Sequence, residues 1–160
     1  MRDCVAVRIP PENARGSEAV IFAGSSRDEL RRRYISAWQR RLQGLPLEPL
    51  DSAIADVIEL HPEYQSLLGD ESGVQRPYDV EQGQTNPFLH MGLHLGLREQ
   101  LATRRPAGIE AVYAALVRRL GSVHDAEHRM IEVLAETLWE AQRAGRAPDE
   151  NLYLERLRKL

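Results

Sequence analysis

The sequence has few of the features that mark disulfide-stabilised, membrane-spanning or nucleic-acid-binding proteins. Its 160 residues include a single cysteine, Cys4, which excludes an intramolecular disulfide and any thiolate-rich zinc site. No apolar run approaches the roughly 18 residues that a membrane-spanning helix needs. The first residues lack the basic-then-apolar order of a signal peptide. A net charge of −3 gives no general attraction to nucleic acid or to an anionic membrane. We therefore expect a cytoplasmic protein without a membrane segment.

What the sequence contains is typical of one helical domain. Hydrophobic residues make up 42% and charged residues 28%, and the chain is long enough to bury a substantial core. In several segments after residue 22, apolar side chains recur every three or four positions, which is the period of an amphipathic helix. Residues 1–22 show no clean period. We predict an irregular N-terminal extension over residues 1–22 and a single all-α domain over residues 23–160, built as a bundle of five to six helices.

The first predicted helix begins after Ser26, because Glu29 three residues later completes a capping box. Its apolar stripe recurs every fourth residue: Leu30, Tyr34, Trp38 and Leu42. Its other face carries the arginines Arg27, Arg31, Arg32, Arg33, Arg40 and Arg41. The simpler interpretation of this face, which spans residues 26–43, is a solvated surface, and the alternative is an interaction module for nucleic acid or an acidic partner. Asp28 interrupts the arginines and no aromatic residue lies among them to stack on a base, so the pattern argues against nucleic acid.

The second predicted helix covers residues 47–64. Its apolar stripe is extended by His61 at the point where Pro62 perturbs the helix end. The polar residues 65–85 that follow are predicted to form a long loop. A loop of this length is either functional or partly ordered by a partner.

The third predicted helix is the most apolar part of the chain. It opens with Asn86 as N-cap and Pro87 at the first helical position, and it has no ordinary charged side chain as far as Leu97. A helix that is apolar on all sides is typical of the centre of a bundle. We therefore expect this central helix to bury the two histidines that it carries, His90 and His94.

Three further helices are predicted after a turn at residues 104–108. One ends at Gly121, the next is capped by Ser122 and runs to about Ala144, and a short final helix is capped by Asp149.

All five histidines of the chain lie on the apolar stripe of a predicted helix. A buried imidazole needs partners for its ring nitrogens, and each unsatisfied polar group costs about 1–3 kcal/mol. A divalent cation accepts a lone pair from each ring and leaves the other N–H for a carbonyl or carboxylate. Residues four apart on a helix lie on one face, so each pair can converge on one ion. We predict that His90, His94, His124 and His128 bind a divalent transition metal, with His61 as a further candidate ligand.

Zinc is the expected metal, with nickel or iron as alternatives, because imidazole-rich sites suit these ions better than magnesium or calcium. Three protein ligands would leave an open site of hydrolytic or transferase type, at which a small molecule could bind, whereas four would close it. Glu127 lies within HDAEH, a His-x-x-Glu-His pattern, and is the candidate general base of an open site. Whether the protein is an enzyme stays open at this point, as does its oligomeric state, for which a dimer is one option.

Two other interpretations of the histidines stay open. One is a hydrogen-bonded network that joins them to Tyr64, Tyr78 or Tyr113. The other is a haem held non-covalently by two histidines, since the sequence has no Cys-x-x-Cys-His attachment motif.

Several sequence blocks resemble a bacterial family of uncharacterised proteins, the domain of unknown function numbered 1841. These blocks are NPFLHMGLHL, HPEY, RRPAGI, HDAEH and LWEAQRAGRAPDE. The resemblance extends from about Phe22 to Arg158. In that family HPEY is commonly followed by another histidine, where this chain has Gln65, so one candidate ligand is missing here. The resemblance supports the helical fold and implies no particular activity.

Overall fold

The computed structural model of the protein describes residues 26–69 and 86–160. These residues form seven α-helices and one short 3₁₀ helix, and they contain no β-strand. The bounds are α1 Arg27–Leu42, α2 Pro49–Glu59, α3 Pro62–Gln65, the 3₁₀ helix Ser66–Leu68, α4 Pro87–Thr103, α5 Ile109–Leu120, α6 Val123–Arg143 and α7 Glu150–Arg158. The prediction of an all-α fold is confirmed, and the helix count is close to the five to six expected.

Two parts of the sequence prediction lie outside the described residues. One is the N-terminal extension at residues 1–22. The other is most of the predicted loop, including Tyr78. The beginning of that loop is described and is helical, because α3 runs to Gln65 and the 3₁₀ helix follows it directly.

Polar side chains determine where several helices begin. At α1, the Glu29 N–H donates to Ser26 Oγ at 3.3 Å and the Ser26 N–H donates to Glu29 Oε2 at 2.7 Å, which is the predicted capping box. The predicted caps Asn86, Ser122 and Asp149 likewise accept hydrogen bonds from the first turns of α4, α6 and α7. Each cap satisfies N–H groups that have no partner within the helix.

The described helices fall into two compact units, and the boundary lies between Leu95 and Gly96, inside α4. In the first unit α1 packs along α2, and the 3₁₀ helix contacts α1. The buried core of this unit consists of Tyr34, Ile35, Ala37, Trp38, Ile54, Val57, Ile58, Leu68, Phe88, Met91 and Leu95. The beginning of α4 is therefore part of the same core as α1 and α2, as expected of the most apolar helix.

The second unit contains the end of α4 together with α5, α6 and α7. Within it α6 contacts both α5 and α7, and α5 contacts α7. The Tyr153 hydroxyl donates a hydrogen bond of 2.9 Å to Gln100 Oε1, which joins α7 to α4. None of the helices in the described ranges combines the length and apolar composition needed to cross a bilayer.

The structure corrects the sequence-based assignments at three places. The predicted helix over residues 47–64 is interrupted, because Pro62 has no N–H to continue it and its ring crowds the preceding turn. Leu42 is 67% exposed, although it was assigned to the apolar stripe of the first helix. Leu42 is the last residue of α1. Arg31 was assigned to the solvated face but is only 2% exposed, and its guanidinium lies 5.0 Å from the centroid of the Phe88 ring.

Candidate metal centre

The histidines of α4 face the interior. His94 is fully buried and His90 is 3% exposed, and their ring centroids lie 5.0 Å apart. This closeness follows from their spacing, since residues four apart on a helix are neighbours on one face. The predicted burial of this pair is therefore observed.

His61 reaches the same rings from the break between α2 and α3. Pro62 prevents α2 from continuing, and His61 takes a non-helical conformation (φ −124°, ψ 70°) as the N-cap residue of α3. Its fully buried ring places Nε2 3.0 Å from His90 Nε2, and its centroid lies 4.7 Å from that of His94. Three imidazoles from two separate segments thus form one compact cluster.

The orientation of the His61 ring is set by a backbone carbonyl. His61 Nδ1 lies 2.8 Å from the carbonyl oxygen of Val57. A carbonyl only accepts hydrogen bonds, so the neutral ring carries its proton on Nδ1 and its lone pair on Nε2. Metal-binding histidines are commonly held in this way, with one N–H donated to a carbonyl and the other nitrogen directed at the ion.

Tyr64 lies against the three histidines. Its ring is stacked on His61, with centroids 5.6 Å apart and an interplanar angle of 7°, and it meets His90 edge-on at 5.7 Å. Tyr64 is half-buried, whereas the three imidazoles are buried. The tyrosine ring therefore shields one side of the cluster from solvent and fixes the plane of the His61 ring.

On α6, the rings of His124 and His128 lie with centroids 4.0 Å apart, and both side chains are partly exposed. The described residues contain one group of side chains with the composition and spacing to hold a metal ion, and their ligand atoms all lie within 4.8 Å of one another. The members of this group are His61, His90, His94 and His128. His124 is not a member, and the further candidate His61 takes the fourth place.

Glu127, the candidate general base, is buried and is also outside this group. Its two carboxylate oxygens accept hydrogen bonds from Arg98, with Nε to Oε1 and Nη2 to Oε2 both at 3.1 Å. Bidentate pairs of this kind are the strongest arginine–carboxylate interactions. Sequence analysis did not single out Arg98, although its position four residues after His94 on the histidine face of α4 was an available signal.

The charges of Glu127 and Arg98 both affect the pKa of Tyr113 on α5. Burial raises the pKa of the Tyr113 hydroxyl, the negative charge of Glu127 raises it further, and the positive charge of Arg98 partly offsets the increase. Both charges therefore act on a third helix of the same unit.

Three of the arginines on α1 have polar partners within their own unit. Arg33 is paired with Asp51 at 2.7 Å, Arg40 donates to the carbonyl oxygen of Pro46 at 2.6 Å, and Arg41 pairs with Asp56 and with Glu59. Together with the burial of Arg31, the carboxylates at Arg33 and Arg41 reduce the positive charge that this face presents to a partner, whereas the Pro46 carbonyl leaves the charge of Arg40 in place.

Comparison with known proteins identifies one family. The model of the domain of unknown function DUF1841 matches residues 26–159. No curated protein matches the chain, and no solved structure does. The family description assigns no activity, so a functional inference has to start from the geometry of the histidines.

Proposed function

The chain belongs to the DUF1841 family, and from the geometry of its histidines we propose that it is a metal-binding protein. The proposed ligands are His61, His90, His94 and His128. The proposed metal is a divalent first-row transition ion, with zinc favoured and nickel or iron as alternatives. The observation that most supports this proposal is the 3.0 Å separation between Nε2 of His61 and Nε2 of His90.

This separation suits two ligands of one ion. With metal–nitrogen bonds of about 2.0–2.1 Å, two neighbouring ligand atoms lie about 3.3 Å apart around a tetrahedral ion and about 2.9 Å apart around an octahedral one. The observed 3.0 Å lies between these values. The largest spacing within the group of four is 4.8 Å, so the remaining rings move inward by small side-chain rotations when the ion binds.

The chemistry of the ligands favours zinc. Four neutral imidazoles provide only nitrogen donors, which suit zinc, nickel and copper better than the hard ions magnesium and calcium. With all four bound, a tetrahedral zinc site is closed and serves stability rather than hydrolysis. A small molecule at the metal, and any hydrolytic or transferase reaction, would require one histidine to leave or the metal to increase its coordination number.

The haem interpretation of the histidines has less support. A haem between two axial histidines needs room for a macrocycle, which the 3.0 Å contact between His61 and His90 does not leave between those two rings. A hydrogen-bonded network would use the same contact between His61 and His90, because 3.0 Å is also a normal length for an N–H···N hydrogen bond, and the metal analysis below distinguishes the two interpretations.

The test is a metal analysis of the full chain purified without a nickel column. We expect about one metal ion per chain. The double variant His90→Ala/His94→Ala should lose it, whereas the matched variant His124→Ala should retain it. Circular dichroism checks that each variant is folded. Less than about 0.2 ions per chain in the wild type, with no increase on adding Zn²⁺, Ni²⁺ or Fe²⁺, would contradict the proposal.

A further inference from the structure

The ion pair between Arg98 and Glu127 lies next to proposed metal ligands on two helices. On α4, Arg98 follows His94 by four residues and His90 by eight, so the three side chains lie along one face. On α6, Glu127 immediately precedes His128. A contact that joins these two points of α4 and α6 restrains the rotation of α6 about its own axis, and with it the position of the His128 backbone.

The geometry of the pair is suited to such a constraint. The Glu127 side chain is 4% exposed, and two parallel hydrogen bonds define both a distance and an angle. Another pair on α6 differs in its setting: Glu140, which binds Arg156, is 41% exposed. Exposed pairs of this kind contribute little and leave their side chains mobile. Glu140 and Arg156 therefore provide a matched control on the same helix.

We propose that Arg98 and Glu127 are positioning residues for His128, the proposed metal ligand that follows Glu127 on α6. This inference rests on the proposed function, because it assigns the pair a role only if a metal is bound. It gives Glu127 a role that differs from the general base considered in the sequence analysis, and it starts from the two hydrogen bonds that the carboxylate accepts from Arg98. Groups that orient a metal ligand typically change metal affinity by about 10–100-fold when they are removed.

The test measures Co²⁺ binding to the full chain, because the visible spectrum of Co²⁺ reports the number and arrangement of its ligands. Glu127→Gln removes the negative charge and one hydrogen-bond acceptor. Arg98→Lys keeps the positive charge but cannot form the bidentate pair. Both variants should bind Co²⁺ about 10–100-fold more weakly and should give a spectrum like that of His128→Ala. Glu140→Gln should match the wild type in affinity and spectrum.

A double-mutant cycle separates positioning from general stabilisation. In the His128→Ala background, Glu127→Gln should cause no further loss of Co²⁺ affinity, because the ligand that it orients is already absent. Thermal unfolding of every variant shows whether the fold is kept, and Arg98→Lys provides the result if Glu127→Gln does not fold. Wild-type affinity and spectrum in both variants would overturn the positioning role, as would an equal loss in the His128→Ala background. A wild-type protein that binds no Co²⁺ would contradict the proposed function itself.

Discussion

The Nε2 atoms of His61 and His90 lie 3.0 Å apart, although the two residues are 29 positions apart in the chain. The contact depends on the interruption of α2 before Pro62. In a continuous helix His61 would have helical backbone angles, and its ring would leave the backbone in a different direction. It also depends on the Val57 carbonyl, which holds Nδ1 and leaves Nε2 directed at His90. The interruption of the helix and the hydrogen bond to Val57 together direct the Nε2 lone pair of His61 at the imidazole of His90.

The first prediction concerns the proton on His61. Because Nδ1 lies 2.8 Å from a carbonyl oxygen, we expect the neutral ring to carry its proton on Nδ1 with or without metal. Nitrogen-15 chemical shifts of the imidazole, measured by NMR with and without Zn²⁺, identify the protonated nitrogen. On addition of Zn²⁺ the Nε2 resonance should shift strongly, whereas Nδ1 should remain protonated. Finding the proton on Nε2 in the metal-free protein would show that the Val57 carbonyl does not set the ring.

A second prediction follows from the burial of Arg31. Its side chain packs within the first unit and its guanidinium lies over the Phe88 ring at 5.0 Å, so Arg31→Ala removes both packing and a cation–π contact. We expect a loss of about 1–3 kcal/mol in the free energy of unfolding, measured by urea denaturation. The neighbouring Arg32 is exposed, and Arg32→Ala should change stability by less than about 0.5 kcal/mol. Equal effects of the two substitutions would mean that the burial of Arg31 contributes nothing.

The features that sequence analysis predicted correctly are those that depend on residues close together in the chain. The caps at Ser26 and Asn86 involve hydrogen bonds across two or three residues, so the local sequence is sufficient to locate them. The burial of His90 and His94 follows from an apolar segment that surrounds them on all sides. These are properties of one helix considered alone.

The features that were missed depend on what a residue meets from another segment. Arg31 is indistinguishable in sequence from the exposed arginines of its helix, and Phe88, over which it lies, is distant in the chain. The partner of Glu127 is Arg98, 29 residues away. Likewise, two histidines at helical spacing on α6 look equivalent, yet only His128 belongs to the group that can hold a metal. Tertiary packing determines which residues of different segments meet, and the periodicity of the sequence carries no information about it.

A third prediction concerns alkaline pH. Burial raises the pKa of the Tyr153 hydroxyl above its ordinary value of 10.0, so the folded state retains this proton at a pH where the unfolded state has lost it. Stability from this group is therefore fully present below about pH 10 and is lost as the pH rises through the folded-state pKa. Tyr153→Phe should remove this dependence, so the difference in unfolding free energy between variant and wild type should shrink at alkaline pH.

At neutral pH the same variant should be less stable by about 0.5–1.5 kcal/mol, because it loses the hydrogen bond to Gln100. Urea unfolding of both proteins at neutral and alkaline pH measures the two effects. A constant difference across this range would contradict the assignment of the alkaline loss to Tyr153.

The last prediction concerns the arginine-rich face of α1. Arg33 and Arg41 are paired with carboxylates of α2, so few of its charges are available to release counterions from a phosphate backbone. We expect the wild-type protein to bind single-stranded RNA no more tightly than about 10⁻⁴ M at physiological salt, the weak limit of non-specific association. Fluorescence anisotropy with a labelled oligonucleotide measures this affinity. The triple variant Asp51→Asn/Asp56→Asn/Glu59→Gln, which removes the carboxylate partners of both arginines, should bind more tightly and with a steeper dependence on salt. Tight binding by the wild type that is abolished by Arg32→Ala would instead identify this face as a nucleic-acid interface, because Arg32 is an exposed arginine on α1.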